Sequence, residues 1–470
     1  ATAALPACAC ALAPQARAQS VTPVDTTALA AFVDSFVTAR MAADRIPGAG
    51  FVFVQDGRAV VVRGYGLADV ARMRPVVPDS TIWRIGSISK VFTATAVMQL
   101  VDRGAVKLDA PVDSYVSRVA IPRTYPEPVT VRQLLDHTAG FDEIRPGTQA
   151  PSRELLLSLD EFLKGRLARV RPPGRTTAYS TYGITLAGAL VEDVSGETFE
   201  AFLRRSIWEP LGMRRASIHV PDSLRNDLAI GYEFAGDSLA AQRWEWYHTS
   251  PASSINATIA DMARFIVAHL PPSRPAAARI LSDSALAEMH RQQVTMHPSI
   301  PGYAVGFNED YVGGLRVLEH GGNMAGFSAL MVLVPSRNAG FFVVNQLEGS
   351  RLRDDLKWLL LERLFPEARE RREVPSALPP AGEVKPERFA GTYIPLTSCF
   401  SCQPMRAGSS MTVTANADGT LGFAGGRWIA VDSLRFVRSN GTGYIVFRAD
   451  SAGTIQELFA GAYWGWQKVQ

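Results

Sequence analysis

Lysine is scarce in this chain of 470 residues, which carries six lysines beside 42 arginines. Charge is nearly balanced, since 48 basic residues face 45 acidic ones and the formal net charge is +3. Proteins that bind nucleic acid normally present a strongly basic face to the phosphates, so no nucleic-acid partner is expected. After the first twenty residues the sequence also lacks an uninterrupted apolar run of about 18 residues, which argues against a transmembrane segment.

Cysteine is rare as well, with four copies at positions 8, 10, 399 and 402. The histidines show no ligand spacing such as H-x-x-x-H, and the two late cysteines are too few for a four-thiolate zinc site. We therefore expect no metal and no cofactor. Cys399 and Cys402 fit a small local disulfide in an exported chain, and they fit a free thiol pair nearly as well.

The first twenty residues differ from the rest, because an alanine-rich apolar run leads to Ala16-Arg17-Ala18. This pattern resembles the second half of a secretory signal, an apolar stretch that ends in an A-x-A cleavage site. The sequence thus favours export, to the periplasm or out of the cell, with cleavage after Ala18. Two alternatives stay open, namely a lipoprotein acylated on Cys8 and an unstructured terminus.

Hydrophobic residues make up 47% of the chain and charged residues 20%, as in ordinary globular proteins. The length allows two or three domains. Periodicity and turn residues predict helices over 26–43, 87–103 and 352–365, a mainly helical stretch over 131–204, a hairpin of 49–54 and 59–65, and strands over 316–319, 329–334 and 340–345. We divide the chain into a signal remnant (1–20), a main domain (21–365), a charged, proline-rich linker (366–386) and a small all-β barrel or sandwich (387–470) with six predicted strands.

The most telling motif is Ser87-Ile88-Ser89-Lys90, which opens the most apolar of the predicted helices. None of the other five lysines has a serine three positions before it. This spacing is about one helical turn, so the hydroxyl and the amine lie within reach of each other. A lysine kept unprotonated by burial can take the proton of a serine and turn it into a nucleophile. The alternative is a helix cap followed by a surface lysine.

Two further segments offer partners for such a serine. Tyr179 lies in Ala178-Tyr179-Ser180-Thr181, and a buried phenol beside an ammonium can ionise below its usual pKa of about 10. A core tyrosine without a catalytic role, or the nearby Tyr182 as the active phenol, are alternatives. His320-Gly321-Gly322-Asn323 follows a predicted strand, where glycines let the backbone approach a ligand and present an N–H group to it. The alternative is that His320 only packs and shapes the strand.

Five short motifs now stand in a consistent order: Ser87-Ile88-Ser89-Lys90, Leu134-Leu135-Asp136-His137-Thr138-Ala139-Gly140-Phe141, Tyr179-Ser180-Thr181, Trp208-Glu209-Pro210-Leu211-Gly212-Met213, and His320-Gly321-Gly322 with Gly326-Phe327-Ser328. Over residues of about 25–365 the chain resembles the serine β-lactamase and penicillin-binding-protein superfamily, on the branch of class C β-lactamases, D-aminopeptidases and related esterases. The resemblance implies an α+β fold. It consists of an antiparallel sheet flanked by helices, joined to an all-helical subdomain, with the cleft between them.

The resemblance also implies roles for single residues. Ser87 corresponds to the nucleophile, Lys90 to its proton acceptor, and Tyr179 to the base that assists acylation and activates the deacylating water. The backbone N–H groups of Ser87 and Asn323 would form the oxyanion hole. The other expected substrate-binding residues are Thr181, His320, Gly321 and Gly322. Independently of the resemblance, His137 is assigned to structure, because a histidine in a helix-end turn more often satisfies local backbone groups.

Two positions depart from the family pattern. Thr181 stands where the family has asparagine, and His320 stands where β-lactamases have a lysine that grips the substrate carboxylate. A neutral imidazole is a weaker carboxylate anchor than an ammonium group. Both changes disfavour β-lactam hydrolysis and favour neutral or amine-bearing esters and amides.

The sequence therefore predicts a serine hydrolase that forms an acyl-enzyme on a small-molecule or peptide substrate. We rank esterase first, D-amino-acid peptidase second and β-lactamase third. An α/β-hydrolase is disfavoured because the chain contains no G-x-S-x-G elbow. A hypothesis of a different class is a catalytically silent binding or scaffold protein with the same fold. The oligomeric state stays open, and so does the role of the C-terminal β domain, which could cap the cleft, bind a cell-wall component or mediate assembly.

Overall fold

The computed structural model describes residues 24–271, 279–371, 384–404 and 409–469. The predicted signal remnant at 1–20, with its candidate lipidation site Cys8, lies outside these ranges, as does most of the predicted linker. In the described part of the chain, no helix is both long enough and apolar enough to cross a bilayer.

The described helices are α1 (Thr26–Asp44), α2 (Ser89–Asp102), α3 (Val131–Leu135), α4 (Leu159–Leu163), α5 (Thr181–Ser195), α6 (Phe199–Leu203), α7 (Glu209–Leu211), α8 (Ser250–Ser253), α9 (Ile259–Ala268), α10 (Asp283–His290) and α11 (Leu352–Leu364). The described strands are β1 (Gly48–Gln55), β2 (Arg58–Asp69), β3 (Arg74–Pro75), β4 (Trp83–Arg84), β5 (Gln149–Ala150), β6 (Tyr232–Ala235), β7 (Ser238–Ala241), β8 (Trp246–Tyr247), β9 (Asn256–Ala257), β10 (Asn308–Val312), β11 (Leu315–Met324), β12 (Phe327–Val334), β13 (Ala339–Asn345), β14 (Gly391–Pro395), β15 (Met411–Ala415), β16 (Leu421–Phe423), β17 (Gly426–Ala430), β18 (Arg435–Arg438), β19 (Tyr444–Ala449), β20 (Ile455–Phe459) and β21 (Gly465–Lys468).

The main domain is built on a seven-stranded antiparallel sheet with the order β10-β11-β12-β13-β1-β2-β3. The β1–β2 hairpin turns at Asp56 and Gly57, whose φ angles of 51° and 73° suit the predicted tight turn. Helix α1 begins after Asp25, whose carboxylate accepts the N–H groups of Thr27 and Ala28. The predicted helix and hairpin are thus confirmed, together with the α+β fold.

Alternation along the central strands divides the hydrophobic interior into two cores. In β1, Val52 and Val54 point into the core shared with α2, α5 and α9, whereas Phe51 and Phe53 point into the core shared with α1 and α11. This is the period of two that a strand buried on both faces requires. The sheet therefore separates the layer that contains α1 and α11 from the layer that contains α2 and the predicted nucleophile Ser87.

Helix α2 is buried from Ser89 to Leu100, as its apolar residues on nearly every side predict. The helix begins later than predicted, because Gly86–Ile88 form a 3₁₀ turn and Ser87 lies within that turn. Ser87 is half-buried in this turn, whereas its neighbours Gly86 and Ile88 are buried. The turn packs against β11 and α8, which brings three distant segments of the chain together.

Strands β14 to β21 close into an antiparallel eight-stranded barrel, so the C-terminal domain is a barrel and not a sandwich. Its interior is strongly aromatic, with Phe389, Phe436 and Phe447 in mutual edge contact. Two of its strands, β18 and β21, were not predicted, and neither was β10 in the main sheet. Each of these three strands is four or five residues long. Their charged or polar residues interrupt the apolar alternation on which the prediction relied.

The barrel packs directly on the main domain. A shared apolar cluster joins Ala178 and Ile300 of the main domain to Leu396, Val446 and Phe459 of the barrel. The segment predicted as a linker starts with the turn Pro366–Arg369, whose Ala368 is buried in the core beside α11. The barrel thus rests on residue 178, immediately before Tyr179.

A small loop closed by a disulfide forms a second contact between the domains. Cys399 and Cys402 are bonded to each other, which decides between the two alternatives that the sequence left open. Inside this loop the backbone N–H groups of Phe400 and Ser401 donate to the buried carboxylate of Asp142, at 3.0 and 2.7 Å. The loop therefore anchors the main-domain segment that continues to Glu143.

Candidate active site

Ser87 and Lys90 are in contact, as their spacing predicts. The Nζ atom of Lys90 lies 3.1 Å from Oγ of Ser87 and donates to the carbonyl oxygen of Ala252 at 2.9 Å. Lys90 is only 1% exposed. In its neutral form the amine can keep the bond to Ala252 and turn its lone pair toward the serine hydroxyl. This arrangement allows direct proton transfer from Ser87 to Lys90.

Burial decides the charge of this lysine. Removal from water disfavours the ammonium form and lowers the pKa of Lys90 to about 7, although the carboxylate of Glu143 acts in the opposite direction. A free lysine would be almost wholly protonated at neutral pH. Here a large fraction of Lys90 is neutral at that pH and able to accept a proton.

Tyr179 is placed by His137, a residue with a positive φ of 61°. The backbone N–H of Ala178 donates to the carbonyl of His137 at 2.9 Å, and that of Ser180 donates to its Nδ1 at 3.2 Å. The imidazole and phenol rings lie 4.6 Å apart between centroids. His137 thus fixes the backbone on both sides of Tyr179.

The phenol of Tyr179 lies next to the hydroxyl of Ser87, and Nζ of Lys90 lies 4.7 Å from the centre of its ring. Burial raises the pKa of Tyr179 well above its usual value, and the nearby Tyr463 adds to this effect. The prediction of an easily ionised phenol is therefore wrong. That prediction assumed that Lys90 is an ammonium ion. Burial instead favours the neutral amine of Lys90, and it also disfavours the charged phenolate of Tyr179.

The glycines of β11 allow a close approach to the nucleophile turn. A Cβ atom on Gly322 would lie 1.9 Å from the carbonyl oxygen of Ile85, and one on Gly86 would lie 3.0 Å from the backbone nitrogen of Asn323. Only glycines permit these contacts, which bring the backbone of Asn323 against the turn that carries Ser87. At Gly321 a Cβ would meet only the side chain of Arg353, at an ordinary 3.5 Å.

Arg353 of α11 holds β11 in place through hydrogen bonds to the backbone. Its guanidinium donates to the carbonyl oxygens of Gly322 at 3.1 Å and of Ala329 at 2.6 Å. These bonds tie β11 to β12 at the position of the glycines. The strand edge beside Ser87 is thereby held in place.

His320 is only 3% exposed, and its ring centroid lies 6.1 Å from that of Tyr179. Its Nδ1 lies 2.7 Å from the carbonyl oxygen of Gly321, while Nε2 has no partner among the described residues. Burial, with Lys90 nearby, lowers the pKa of His320 to about 3. The imidazole is thus neutral around pH 7, donates from Nδ1 and leaves Nε2 as an acceptor.

Thr181, predicted to bind substrate, contacts an acidic residue that the sequence analysis missed. Its backbone N–H donates to Oε2 of Glu143 at 2.7 Å, and its hydroxyl lies close to this carboxylate. Burial raises the pKa of Glu143, and the charge of Lys90 acts against that rise. In the sequence, Phe141-Asp142-Glu143-Ile144-Arg145 resembles an ordinary surface loop, so no local signal marks Glu143.

Tyr463 is the second residue that the sequence analysis missed, and it comes from the barrel. It lies in the connection between β20 and β21, and its ring meets that of Tyr179 edge to face at 4.9 Å. Burial raises the pKa of Tyr463, and the carboxylate of Glu143 acts in the same direction. The barrel therefore forms part of the surroundings of the candidate site, which only the folded chain reveals.

A role in metal binding finds less support than acyl transfer. Within residues 24–271, 279–371, 384–404 and 409–469, no three histidine, cysteine, aspartate or glutamate side chains are grouped as metal ligands would be. The gathered groups are a hydroxyl, an amine, a phenol and a carboxylate. Such a set suits acyl transfer by proton exchange between side chains.

Comparison with known proteins places this geometry in a family. The family model described as Beta-lactamase matches residues 33–364. "Penicillin-binding protein 4" of Amycolatopsis lactamdurans is 30% identical over 262 residues, which are 53% of this chain and 66% of the relative. "Protein flp" of Staphylococcus aureus (strain MRSA252) is 24% identical over 326 residues, or 67% of this chain and 63% of the relative. The alignments thus span slightly less than two thirds of these relatives.

Solved structures share the fold over almost the whole chain. The octameric penicillin-binding protein homologue from Pyrococcus abyssi is 22% identical with a TM-score of 0.61, over 95% of this chain and 100% of that one. SurE is 23% identical with a TM-score of 0.68, over 94% and 99% of the two chains. SurE solved with D-Leu gives a TM-score of 0.65 at 23% identity, over 94% and 99% of the chains. At these identities the likeness establishes the fold.

Proposed function

The chain belongs to the β-lactamase family, and from this premise we propose that it is a serine hydrolase that forms an acyl-enzyme on Ser87. The observation that carries the proposal is the distance of 3.1 Å between Nζ of Lys90 and Oγ of Ser87, in a site where burial lowers the lysine pKa to about 7. A nucleophile and a neutral base within hydrogen-bond reach are the minimal pair for acyl transfer.

Acylation begins when Oγ of Ser87 bonds to the acyl carbon of the substrate and its proton passes to Nζ of Lys90. The developing oxyanion is stabilised by backbone N–H groups, for which Ser87 and Asn323 are the candidates. Loss of one such donor typically costs on the order of 100-fold or more in rate. The tetrahedral intermediate then collapses, the bond to the leaving alcohol or amine breaks, and the leaving group takes up a proton.

Tyr179 is suited to deliver that proton. It remains protonated at neutral pH and lies beside both Ser87 and Lys90. A phenol in this position can donate its proton to the leaving group while it is reprotonated from Lys90. In deacylation the same relay runs in reverse, as a water molecule attacks the acyl carbon and Ser87 regains its proton.

Small esters are the first proposed substrates, followed by amides of D-amino acids and then β-lactams. His320 is buried and neutral, so it offers a substrate carboxylate no charge. The D-Leu bound in one SurE structure supports the inclusion of D-amino-acid amides among the candidates. We also propose that the chain is exported, which its signal-like first twenty residues and the disulfide between Cys399 and Cys402 support.

Labelling with a fluorophosphonate probe tests the proposal. The wild type should form one covalent adduct, with loss of fluoride, and Ser87→Ala should form none while keeping the wild-type melting temperature. A folded wild type that resists labelling would instead favour a silent binding or scaffold protein. A panel of p-nitrophenyl esters, D-amino-acid p-nitroanilides and nitrocefin then ranks the substrate classes by kcat/KM.

A further inference from the structure

Glu143 is a partly buried acid beside the reacting groups, and the proposed mechanism leaves it without a role. We propose that Glu143 is the counter-charge that lets Lys90 carry the proton taken from Ser87. This inference rests on the proposed function and deepens it. Glu143 does not touch the reacting atoms, so it is a positioning residue that acts through Lys90.

The place of Glu143 is fixed by Thr181. Its Oε2 accepts the backbone N–H of Thr181 at 2.7 Å, and the threonine hydroxyl lies close to the same carboxylate. Thr181 is the first residue of α5, where the unpaired N–H groups of a helix favour negative charge. Tyr179, two residues before, lies next to Ser87. Glu143 is thus fastened to the segment that places the phenol.

Glu143 acts on Lys90 through space. The two hydrogen bonds of Lys90 go to Ser87 and Ala252, so the carboxylate is not in direct contact with the amine. Even so, the charge of Glu143 raises the pKa of Lys90 against the larger effect of burial. Burial raises the pKa of Glu143 itself, and in its ionised form the carboxylate stabilises the ammonium that forms when Ser87 gives up its proton. Without it, burial alone would leave the amine a weaker base.

The barrel strengthens the electrostatic interaction between Glu143 and Lys90, because it covers this part of the site. Tyr463 lies against Tyr179 and within electrostatic reach of Glu143. Aromatic cover excludes water, and charges interact more strongly where water is excluded. The titratable and charged groups around Glu143 are Lys90, Arg145, Tyr179, Tyr182 and Tyr463. Of these, Lys90 has its pKa lowered to about 7. Lys90 is also faced by His137 and His320, whose pKa values are lowered by burial.

The departure at position 181 fits this role. Thr181 stands where the resemblance leads one to expect asparagine, its backbone N–H donates to Glu143, and its hydroxyl lies close to that carboxylate. Position 181 therefore holds a carboxylate in place. A purely structural Glu143 would only cap the start of α5, and its removal would lower stability without changing the pH at which Ser87 becomes reactive.

The rate of fluorophosphonate labelling, measured from about pH 5 to about pH 9, separates these roles. In the wild type the rate should rise with pH as Lys90 loses its proton, with a midpoint near 7. In Glu143→Gln the midpoint should move down by about one pH unit, because a buried neighbour of opposite charge is lost. The plateau rate should fall by up to about tenfold, because a base weaker by one pKa unit transfers the proton less readily.

Two variants complete the test. Glu143→Asp keeps the charge on a shorter side chain, and its midpoint should move in the same direction by less. This variant also carries the test if Glu143→Gln does not fold. Glu209→Gln removes a carboxylate from the exposed start of α7 and should leave the midpoint unchanged. A midpoint that stays at the wild-type value, or moves up, in the folded Glu143 variants would overturn the inference.

The inference and the proposed function fail in different ways. If wild-type protein is not labelled on Ser87, the proposed function itself is lost. If the wild type is labelled with a midpoint near 7 and Glu143→Gln keeps that midpoint, only the role of Glu143 is lost.

Discussion

Two lysines are buried in the described part of the chain, and their surroundings are opposite. Lys90, at the head of α2, is 1% exposed, and Lys357, in the middle of α11, is 7% exposed. Nζ of Lys357 lies 2.9 Å from carboxylate oxygens of both Asp310 and Glu319. Nζ of Lys90 meets a hydroxyl and a carbonyl oxygen instead.

The difference in partners reverses the sign of the pKa shift. Burial lowers the pKa of Lys90 to about 7. Burial acts on Lys357 as well, but the carboxylates of Glu319 and Asp310 outweigh it and raise the pKa of Lys357 above its usual value. Direct contact with carboxylates keeps the buried Lys357 positively charged at neutral pH. Among the residues that the structure describes, Lys90 has no carboxylate in direct contact, so a large fraction of it is neutral at that pH and can accept a proton.

The largest expected effect concerns catalysis. Lys90→Met should lower kcat on the best ester substrate by about a thousandfold or more, because the proton acceptor is lost. Lys357→Met should keep kcat within about threefold, since Glu319 and His320 are neighbours on β11 and point to opposite faces of the sheet. Steady-state kinetics on folded protein provide the measurement. Equal losses in the two variants would show that the lysines do not differ in function.

The second expected effect concerns stability. Lys357→Met should lower the free energy of unfolding by about 3 kcal/mol, because two partly buried carboxylates lose their cation. Since the pKa of Lys357 is raised, this stabilisation is complete below the unfolded pKa of about 10.4 and is lost only at more alkaline pH. Urea denaturation near neutral pH measures the loss. Lys164→Met, at an exposed position, is the control and should change stability little.

The third expected effect is a gain in stability, opposite to the loss expected for Lys357→Met. Lys90→Met should raise the free energy of unfolding near neutral pH by about 1–3 kcal/mol, since the wild type keeps a buried amine with a lowered pKa at some loss of stability. The unfolded chain binds the extra proton between the folded pKa of about 7 and the usual lysine value, so wild-type stability rises with pH in that window. The gain in the variant should therefore shrink from pH 7 to pH 9. A variant less stable than wild type would contradict this account of Lys90.

The smallest expected effect concerns the barrel. Tyr463→Ala should admit water to the site and move the midpoint of the labelling rate up by roughly half a pH unit, because hydration favours the ammonium form of Lys90. Tyr463→Phe keeps the covering ring and should leave the midpoint in place. The shift is opposite to that expected for Glu143→Gln, so the two changes can be told apart. Unchanged midpoints in both Tyr463 variants would show that the barrel does not control hydration of Lys90.

The sequence predicted those parts of the site that depend on local spacing. Ser87 and Lys90 are one helical turn apart, and their meeting followed from that distance alone. The glycines at 321 and 322 were recognised as a place of close backbone approach, and Gly322 does meet Ile85. The hairpin at Asp56 and Gly57 followed from turn chemistry in the same way.

The sequence could not predict what depends on tertiary contacts. Glu143 and Tyr463 lie in loops with no periodic pattern. Folding of the main domain brings Glu143 to Thr181, and the packing of the barrel on the main domain brings Tyr463 beside Tyr179. The pKa of Tyr179 was predicted to shift down and is instead raised, because burial outweighs the effect of neighbouring charge and the sequence gives no measure of burial. The missed strands β18 and β21 are short, and pairing with their neighbours in the barrel defines them.

The charge of Lys90 can be measured directly, because the chain has only six lysines and their side-chain signals are few enough to assign. Protein labelled with ¹³C at lysine Cε can be titrated by NMR, with Lys90→Met used to identify the signal. The account predicts that the Lys90 signal moves with a midpoint near 7. A Lys90 signal that moves only near the usual lysine pKa of about 10.4 would contradict the claim that this residue takes the proton of Ser87 as a neutral base.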